Sequence, residues 1–180
     1  MKVPGRSNQD DLPLVSIHIG GVFTSDEPTI VRTVLGSCVA VCLYDLEKRI
    51  GGMNHFLLPM GECRNTLPTS YGVFAMEELV HRCIDLGAQR GNILAKVFGG
   101  GRVLQFPESE KSVPNANIKF AFDFLESAGI RVATYDVGGV DAREIFLFTD
   151  SGRVLLRRVV VQKDLPTNKK LPEDGTLRYL

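Results

Sequence analysis

The stretch from Thr33 to Pro59 constrains this chain most, because two apolar runs flank a short polar segment within it. The apolar runs cover residues 38–44 and 50–58, and the polar segment covers 45–49. Two runs of this length around a polar turn are typical of a β-hairpin. The sequence therefore predicts a pair of antiparallel strands here.

This hairpin would bring a thiol and an imidazole together. If the loop is residues 45–48, Cys38 faces His55 directly across the ladder, with Cβ atoms roughly 4.5–5.5 Å apart. An adjacent imidazole favours the thiolate, so such a pair can act as nucleophile and base. A bulge at Gly51-Gly52, or a slip of one residue, would instead place the two groups on opposite faces.

Cys38 also has a structural interpretation. It opens a valine-rich strand, and most buried cysteines are inert packing residues. From spacing alone this role is the more frequent one, with His55 as an edge neighbour. In the catalytic alternative, Gly36 and Ser37 leave room for a substrate carbonyl, and main-chain N–H groups there could hold an oxyanion.

The remaining cysteines indicate no cofactor. The chain has four cysteines, without a C-x-x-C pair or the spacing of a disulfide framework. In a reducing compartment they are expected to be thiols. A zinc site drawn from them and two histidines matches no common ligand pattern, so no metal is predicted. The candidates for that site were Cys38, Cys42, Cys63, Cys83, His55 and His81.

Length and charge exclude several classes of partner. A chain of 180 residues with 44% hydrophobic residues suits one globular domain. Its 21 basic and 21 acidic residues balance, so no nucleic-acid partner is indicated. No apolar run approaches the roughly 20 residues that span a bilayer, so no membrane insertion is predicted. The N-terminus lacks an apolar signal core, which predicts a cytoplasmic protein.

The hydrophobic periodicity predicts two helices and several strands. Helices are expected at 70–86, with Ser70 as N-cap, and at 114–128. Besides the hairpin, strands are predicted at 14–23, 29–35, 92–98, 130–135, 144–149 and 153–161.

These elements predict an α+β fold. It would be a single-domain layered sandwich of mixed or antiparallel β-sheet with two main helices packed on one face. Polar segments rich in proline flank this domain, which covers residues 14–162. Residues 1–13 are predicted to be a disordered arm and 163–180 a loose C-terminal tail.

A series of short motifs carries a resemblance to a known family. The motifs are Gly36-Ser37-Cys38, Gly51-Gly52-Met53-Asn54-His55-Phe56, Tyr71-Gly72-Val73-Phe74-Ala75-Met76, Lys96-Val97-Phe98-Gly99-Gly100 and Asp136-Val137-Gly138-Gly139. In order and spacing they resemble the CheD family, the chemoreceptor glutamine deamidases of bacterial chemotaxis. The resemblance covers about residues 29–160.

The resemblance implies an enzyme, a protein-glutamine glutaminase that works through a cysteine thioester. Cys38 falls on the family's nucleophile and His55 on its base. The third catalytic residue of the family is a threonine shortly before the cysteine. Without a gap that position holds Arg32, and the neighbouring Thr33 is the candidate. Departures at Ser70 and at Val113-Pro114 affect substrate contacts and not the reaction class.

The resemblance also implies partners. The substrates would be cytoplasmic helices of methyl-accepting chemotaxis receptors, and a CheC-type phosphatase would dock at the same groove. Glycine-rich turns at 99–101 and 138–139 are expected at the rim of this groove. A non-catalytic adaptor is the rival function, although an adaptor needs neither Cys38 nor His55. A general cysteine hydrolase is less favoured, because the chain is short and no acidic or amide side chain is evident to orient His55.

Overall fold

The computed structural model describes residues 12–61, 67–103 and 112–159, and the backbone of residues 178–179. Two five-stranded sheets pack face to face, and two helices cover the free side of one sheet. The predicted α+β layered sandwich is thus confirmed. Residues 1–11 of the predicted arm, Cys63, and all of the predicted tail except residues 178–179 lie outside the described residues.

The described residues form ten strands and two α-helices along the chain. Their order is β1 (Leu14–Ser16), β2 (Val22–Ser25), β3 (Ile30–Leu35), β4 (Val39–Asp45), β5 (Ile50–Asn54), α1 (Gly72–Asp85), β6 (Leu94–Gly99), α2 (Val113–Ser127), β7 (Arg131–Val137), β8 (Ala142–Phe148), β9 (Val154–Val159) and β10 (Arg178–Tyr179).

The strands form an outer sheet, β1-β3-β8-β9-β10, and a central sheet, β2-β5-β4-β6-β7. The pairs β1–β3 and β6–β7 are parallel, and the remaining pairs are antiparallel. Strand β4 is buried on both faces because the central sheet has a layer on each side. Ala40 and Cys42 face the outer sheet, whereas Val39, Val41 and Leu43 face the helices.

The predicted strand at 14–23 is wrong as a single element. It is divided into β1, which joins the outer sheet, and β2, which joins the central sheet. Between them the chain turns at Gly20, and Gly21 N donates a hydrogen bond of 2.7 Å to His18 O. The apolar run therefore crosses from one sheet to the other instead of continuing in one.

The hairpin of β4 and β5 exists, but its predicted loop and register are wrong. The turn occupies residues 46–49, and Asp45 pairs with Ile50 where the sequence predicted a loop residue. The same register pairs Cys42 with Met53 and contains no bulge at the glycines. Compared with the predicted pairing, β5 is displaced by two residues, which keeps each side chain on its expected face.

Asp45 explains this register. Its carboxylate is buried and accepts hydrogen bonds from the N–H groups of Glu47 at 3.0 Å and Lys48 at 3.1 Å. It also accepts one of 2.9 Å from Gln89, which follows α1. The turn then closes through Arg49, which has a φ of 57°. Asp45 therefore ends the strand and caps the turn, and the last of its contacts comes from a distant segment.

Both helices are present on the predicted face. Helix α1 begins at Gly72 after Tyr71, so the predicted N-cap role of Ser70 is wrong, and Ser70 lies in a preceding 3-10 turn. Helix α2 runs over the predicted segment. Neither described helix is long and apolar enough to cross a bilayer.

Candidate active site

Cys38 and His55 lie on the same face of the central sheet, but not directly opposite each other. The bridge between Val39 and Phe56 places His55 diagonally from Cys38 in the ladder. The predicted direct pairing is therefore wrong. Cys38 packs in the apolar layer between the sheets, and the His55 ring also points into that layer to contact β3. Both residues are buried.

Thr33 joins His55 from the opposite sheet. Its Oγ1 lies 2.8 Å from His55 Nδ1 and donates a hydrogen bond of 2.9 Å to the carbonyl of Ile17. Because the single hydroxyl proton is directed to Ile17, Nδ1 must carry the proton shared with Thr33. The other ring nitrogen, Nε2, is then the unprotonated one.

Strand alternation separates Thr33 from Arg32. Thr33 faces the layer between the sheets, whereas the Arg32 side chain pairs on the other face with Glu144. The residue that reaches His55 is therefore Thr33 and not its neighbour.

The β1–β2 connection encloses the backbone of His55. Gly20 N donates a hydrogen bond of 2.7 Å to His55 O, and His55 N donates one of 3.0 Å to Gly21 O. Ile17 also lies in this connection, and its carbonyl accepts the hydrogen bond from the Thr33 hydroxyl that contacts the His55 ring. The connection therefore contacts the main chain of His55 directly and its ring through Thr33. The division of the first predicted strand is what provides these contacts.

Burial keeps both members of the pair uncharged. It lowers the pKa of His55 to about 4, with a smaller contribution from the charge of His18. Burial also raises the pKa of the Cys38 thiol, and hydrogen bonds from the Ser37 hydroxyl and the backbone of Cys38 oppose this only partly. Nε2 of His55 is buried and has no hydrogen-bond partner among the residues that the structure describes. Without substrate, the site therefore holds a neutral thiol and a neutral imidazole whose unprotonated Nε2 can accept a proton.

The turn that carries Cys38 is held by the first glycine-rich turn. Gly100 N donates a hydrogen bond of 2.7 Å to Cys38 O, and Gly101 N donates one of 2.7 Å to Gly36 O. Gly99 has a φ of 112°, and a Cβ there would lie 2.2 Å from Cys38 O. Only glycine allows this approach.

The second glycine-rich turn supports the first one. Gly138 N donates a hydrogen bond of 2.9 Å to Gly99 O. The fully buried guanidinium of Arg143 donates to the carbonyls of Gly99 and Gly138 and lies 3.2 Å from Asp136. The two turns thus form one hydrogen-bonded unit beside Cys38.

Several polar residues near the site were not predicted. They are Arg143, Asn117 on α2, and Asn54, whose Oδ1 accepts a hydrogen bond of 2.9 Å from Val41 N. A polar residue inside an apolar stripe is the signal that could have found the first two. Asn54 points toward α1, where it donates to Ala75 O at 3.1 Å. It cannot orient His55, as strand alternation predicts.

Within the described ranges, no group of three or more histidine, cysteine or acidic side chains is placed to hold a metal ion. Cys38, Cys42 and Cys83 are buried and form no disulfide. Cys83 lies in the core beneath α1, and the side chain of His81 is exposed. The reactive groups on the face shared by Cys38 and His55 are the Cys38 thiol, the His55 imidazole and the Thr33 hydroxyl.

A thiol and an unprotonated imidazole nitrogen on one buried face, with a hydroxyl fixing the tautomer, suit a cysteine-dependent amide hydrolase. The family model described as CheD chemotactic sensory transduction matches residues 57–158. The chain belongs to the CheD family.

Curated relatives cover the rest of the site. A protein of Thiobacillus denitrificans named "Probable chemoreceptor glutamine deamidase CheD" is 41% identical over 153 residues, covering 83% of this chain and 75% of its own. An alignment of that span must include Thr33, Cys38 and His55. Proteins of Shewanella oneidensis and Anaeromyxobacter dehalogenans, both named "Probable chemoreceptor glutamine deamidase CheD 1", are 43% and 39% identical. These alignments each cover 81% of this chain, and 72% and 84% of the relatives.

Proposed function

We propose that this chain is a cytoplasmic protein-glutamine deamidase that converts glutamine side chains of chemoreceptors to glutamate. Its curated relatives carry the name of that activity. The observation that carries the proposal is the buried Nε2 of His55, which lies on the same face as Cys38 and has no partner within the described part of the chain. An acceptor in that position can receive the thiol proton when a substrate arrives.

Acylation would begin with proton transfer from the Cys38 thiol to His55 Nε2. The sulfur attacks the carboxamide carbon of glutamine, and the carbonyl oxygen becomes an oxyanion. Main-chain N–H groups around Gly36 and Ser37 are the candidate donors to that oxyanion. When the oxyanion collapses, the C–N bond breaks, His55 returns the proton to nitrogen, and ammonia leaves. The product is a thioester on Cys38.

Deacylation would use the same imidazole. His55 Nε2 removes a proton from water, and the resulting hydroxide adds to the thioester carbon. Collapse of this tetrahedral intermediate breaks the C–S bond and releases the receptor side chain as glutamate. His55 then returns the proton to the sulfur. One water is consumed and one ammonia released per glutamine.

Thr33 supports both steps by fixing the ring. As Nε2 gains a proton, positive charge develops on the imidazole, and the Thr33 oxygen accepts the Nδ1 hydrogen throughout. A hydroxyl stabilises this charge less than a carboxylate would, so its effect on the rate is moderate. Starting from a neutral pair, His55 acts as a general base during attack rather than as half of a preformed ion pair.

The proposed substrates are the cytoplasmic helices of methyl-accepting chemoreceptors. A CheC-type phosphatase is a second proposed partner, and the family resemblance is what supports it. The rival function is a non-catalytic adaptor that binds one of these partners without changing it.

The test is mass spectrometry of a cytoplasmic receptor fragment incubated with the purified chain, with released ammonia measured in parallel. Conversion of defined glutamines to glutamate, with matching ammonia, supports the deamidase. Binding of the fragment without any conversion would instead establish the adaptor.

A further inference from the structure

Asn117 is a fully buried polar residue in the apolar stripe of α2. Its Nδ2 donates hydrogen bonds to two main-chain carbonyls, Ser37 O at 3.1 Å and Leu57 O at 2.9 Å. Ser37 directly precedes Cys38, and Leu57 comes two residues after His55. One side chain from a helix therefore contacts both segments that carry the reacting groups.

These contacts lie where β4 and β5 stop pairing. The last two ladder bonds join Val39 and Phe56, at 3.2 and 3.0 Å. Beyond them the two segments diverge, because the N–H groups of Leu57 and Leu58 donate to Ser70 O instead of to the segment that carries Cys38. A carboxamide NH2 carries two donors and can satisfy both carbonyls at once. Asn117 thereby links the two segments by side-chain hydrogen bonds at the point where their pairing ends.

We propose that Asn117 is a positioning residue that sets the placement of the Cys38 thiol relative to the His55 imidazole. This inference rests on the proposed function, and it adds a residue that acts through the backbone and not on the substrate. Because Cys38 and His55 are diagonal in the ladder, the strand separation at their ends decides whether sulfur and Nε2 can meet.

The unpartnered half of the amide argues against a role in packing alone. Among the described residues Asn117 Oδ1 is buried without a hydrogen-bond partner, and a buried polar atom left unpaired destabilises the fold. An apolar side chain of similar size would fill the same volume without that cost. The two donors of Nδ2 are what an apolar residue cannot supply.

The test compares Asn117→Asp, Asn117→Ala and the control Leu125→Val. Aspartate keeps the shape of asparagine but faces the carbonyls of Ser37 and Leu57 with a carboxylate, which has no donors. Leu125 lies on the same buried face of α2 and makes none of these contacts. Its truncation should lower the melting temperature and leave the Cys38 turn intact.

Two readouts separate positioning from stability. We expect both Asn117 variants to lower kcat for deamidation roughly ten- to a hundredfold, a part of what a general base contributes, with KM within about twofold of the wild type. Alkylation of Cys38 by iodoacetamide, followed by peptide mapping, should slow in both variants. Leu125→Val should change neither kcat nor the alkylation rate.

Unchanged alkylation of Cys38 in folded Asn117→Ala would overturn the inference, as would a loss in Leu125→Val of the same size. If Asn117→Asp does not fold, Asn117→Ala decides. Alkylation needs no receptor, so it tests the inference separately from the proposed function. A wild type that releases no ammonia would refute the proposed function, and a fully active Asn117→Ala beside an inactive Cys38→Ala would refute only the inference.

Discussion

The Thr33 hydroxyl and Nδ1 of His55 lie 2.8 Å apart across the boundary between the two sheets. The same hydroxyl is anchored by the Ile17 carbonyl at the end of β1. The imidazole tautomer at this site therefore depends on how the outer sheet packs on the central sheet.

Replacing Thr33 tests that dependence. Thr33→Val keeps the volume but leaves the Nδ1 hydrogen and the Ile17 carbonyl unpaired. We expect kcat to fall roughly ten- to a hundredfold, on the order of 1.4–2.7 kcal/mol. The free energy of unfolding should fall by about 1–3 kcal/mol because buried partners are lost. Steady-state deamidation and urea unfolding measure the two effects.

Thr33→Ser is the matched variant, because it retains the hydroxyl and should retain most of the activity. An equal loss of kcat in the serine and valine variants would show that the methyl group, and not the hydrogen bond, is what matters.

The lowered pKa of His55 predicts a pH dependence of stability. The folded protein protonates His55 only near pH 4, whereas the unfolded chain does so near 6.5. Between these values the unfolded state binds the additional proton, so stability must decrease as the pH falls from 6.5 toward 4. The loss should be on the order of 3 kcal/mol. Urea unfolding across this range measures it.

His55→Gln removes this titration and should flatten the dependence, while His81→Gln, at an exposed position, should keep it. A His55→Gln variant whose stability still follows the wild-type curve would contradict the assignment.

Gly99 and Gly87 form a matched pair for testing the turn beside Cys38. Both have a positive φ, 112° and 105°, but a Cβ at Gly99 would meet Cys38 O at 2.2 Å, whereas at Gly87 nothing lies within 4 Å. Gly87→Ala should cost only backbone strain of about 1–2 kcal/mol and keep full kcat. Gly99→Ala should displace the Cys38 carbonyl and lower kcat at least tenfold. Circular dichroism and deamidation kinetics on both variants provide the test, and equal kcat values would count against the turn's role.

Local patterns predicted the fold class, both helices, and the shared face of Cys38 and His55, because periodicity depends on residues close in sequence. The predicted register of β4 and β5 was wrong because the register is set by Asp45, whose buried carboxylate accepts a hydrogen bond from the distant Gln89 N–H. The prediction of one continuous strand at 14–23 was wrong for a related reason. Whether its two halves share a sheet depends on β3 and β5, which provide their partners.

The site residues differ in the same way. Thr33 could be proposed because the family resemblance implies a threonine shortly before Cys38, and a hydroxyl can fix an imidazole tautomer. Asn117 and Arg143 could not, because a buried polar residue signals that a partner exists without identifying which distant carbonyl it is. The carbonyls that Asn117 and Arg143 bind are main-chain atoms, and every residue has such a carbonyl, so the side-chain pattern cannot identify which one is bound.

The most direct test of the account compares Cys38→Ala with Cys42→Ala on a cytoplasmic receptor fragment, using mass spectrometry to follow conversion of glutamine to glutamate. Cys42 lies in β4 on the same face of the central sheet as Cys38. It is fully buried, and burial raises its pKa to about 12, so it controls for loss of a buried thiol. We predict no conversion by Cys38→Ala and wild-type conversion by Cys42→Ala. Conversion by Cys38→Ala at the wild-type rate would contradict the account.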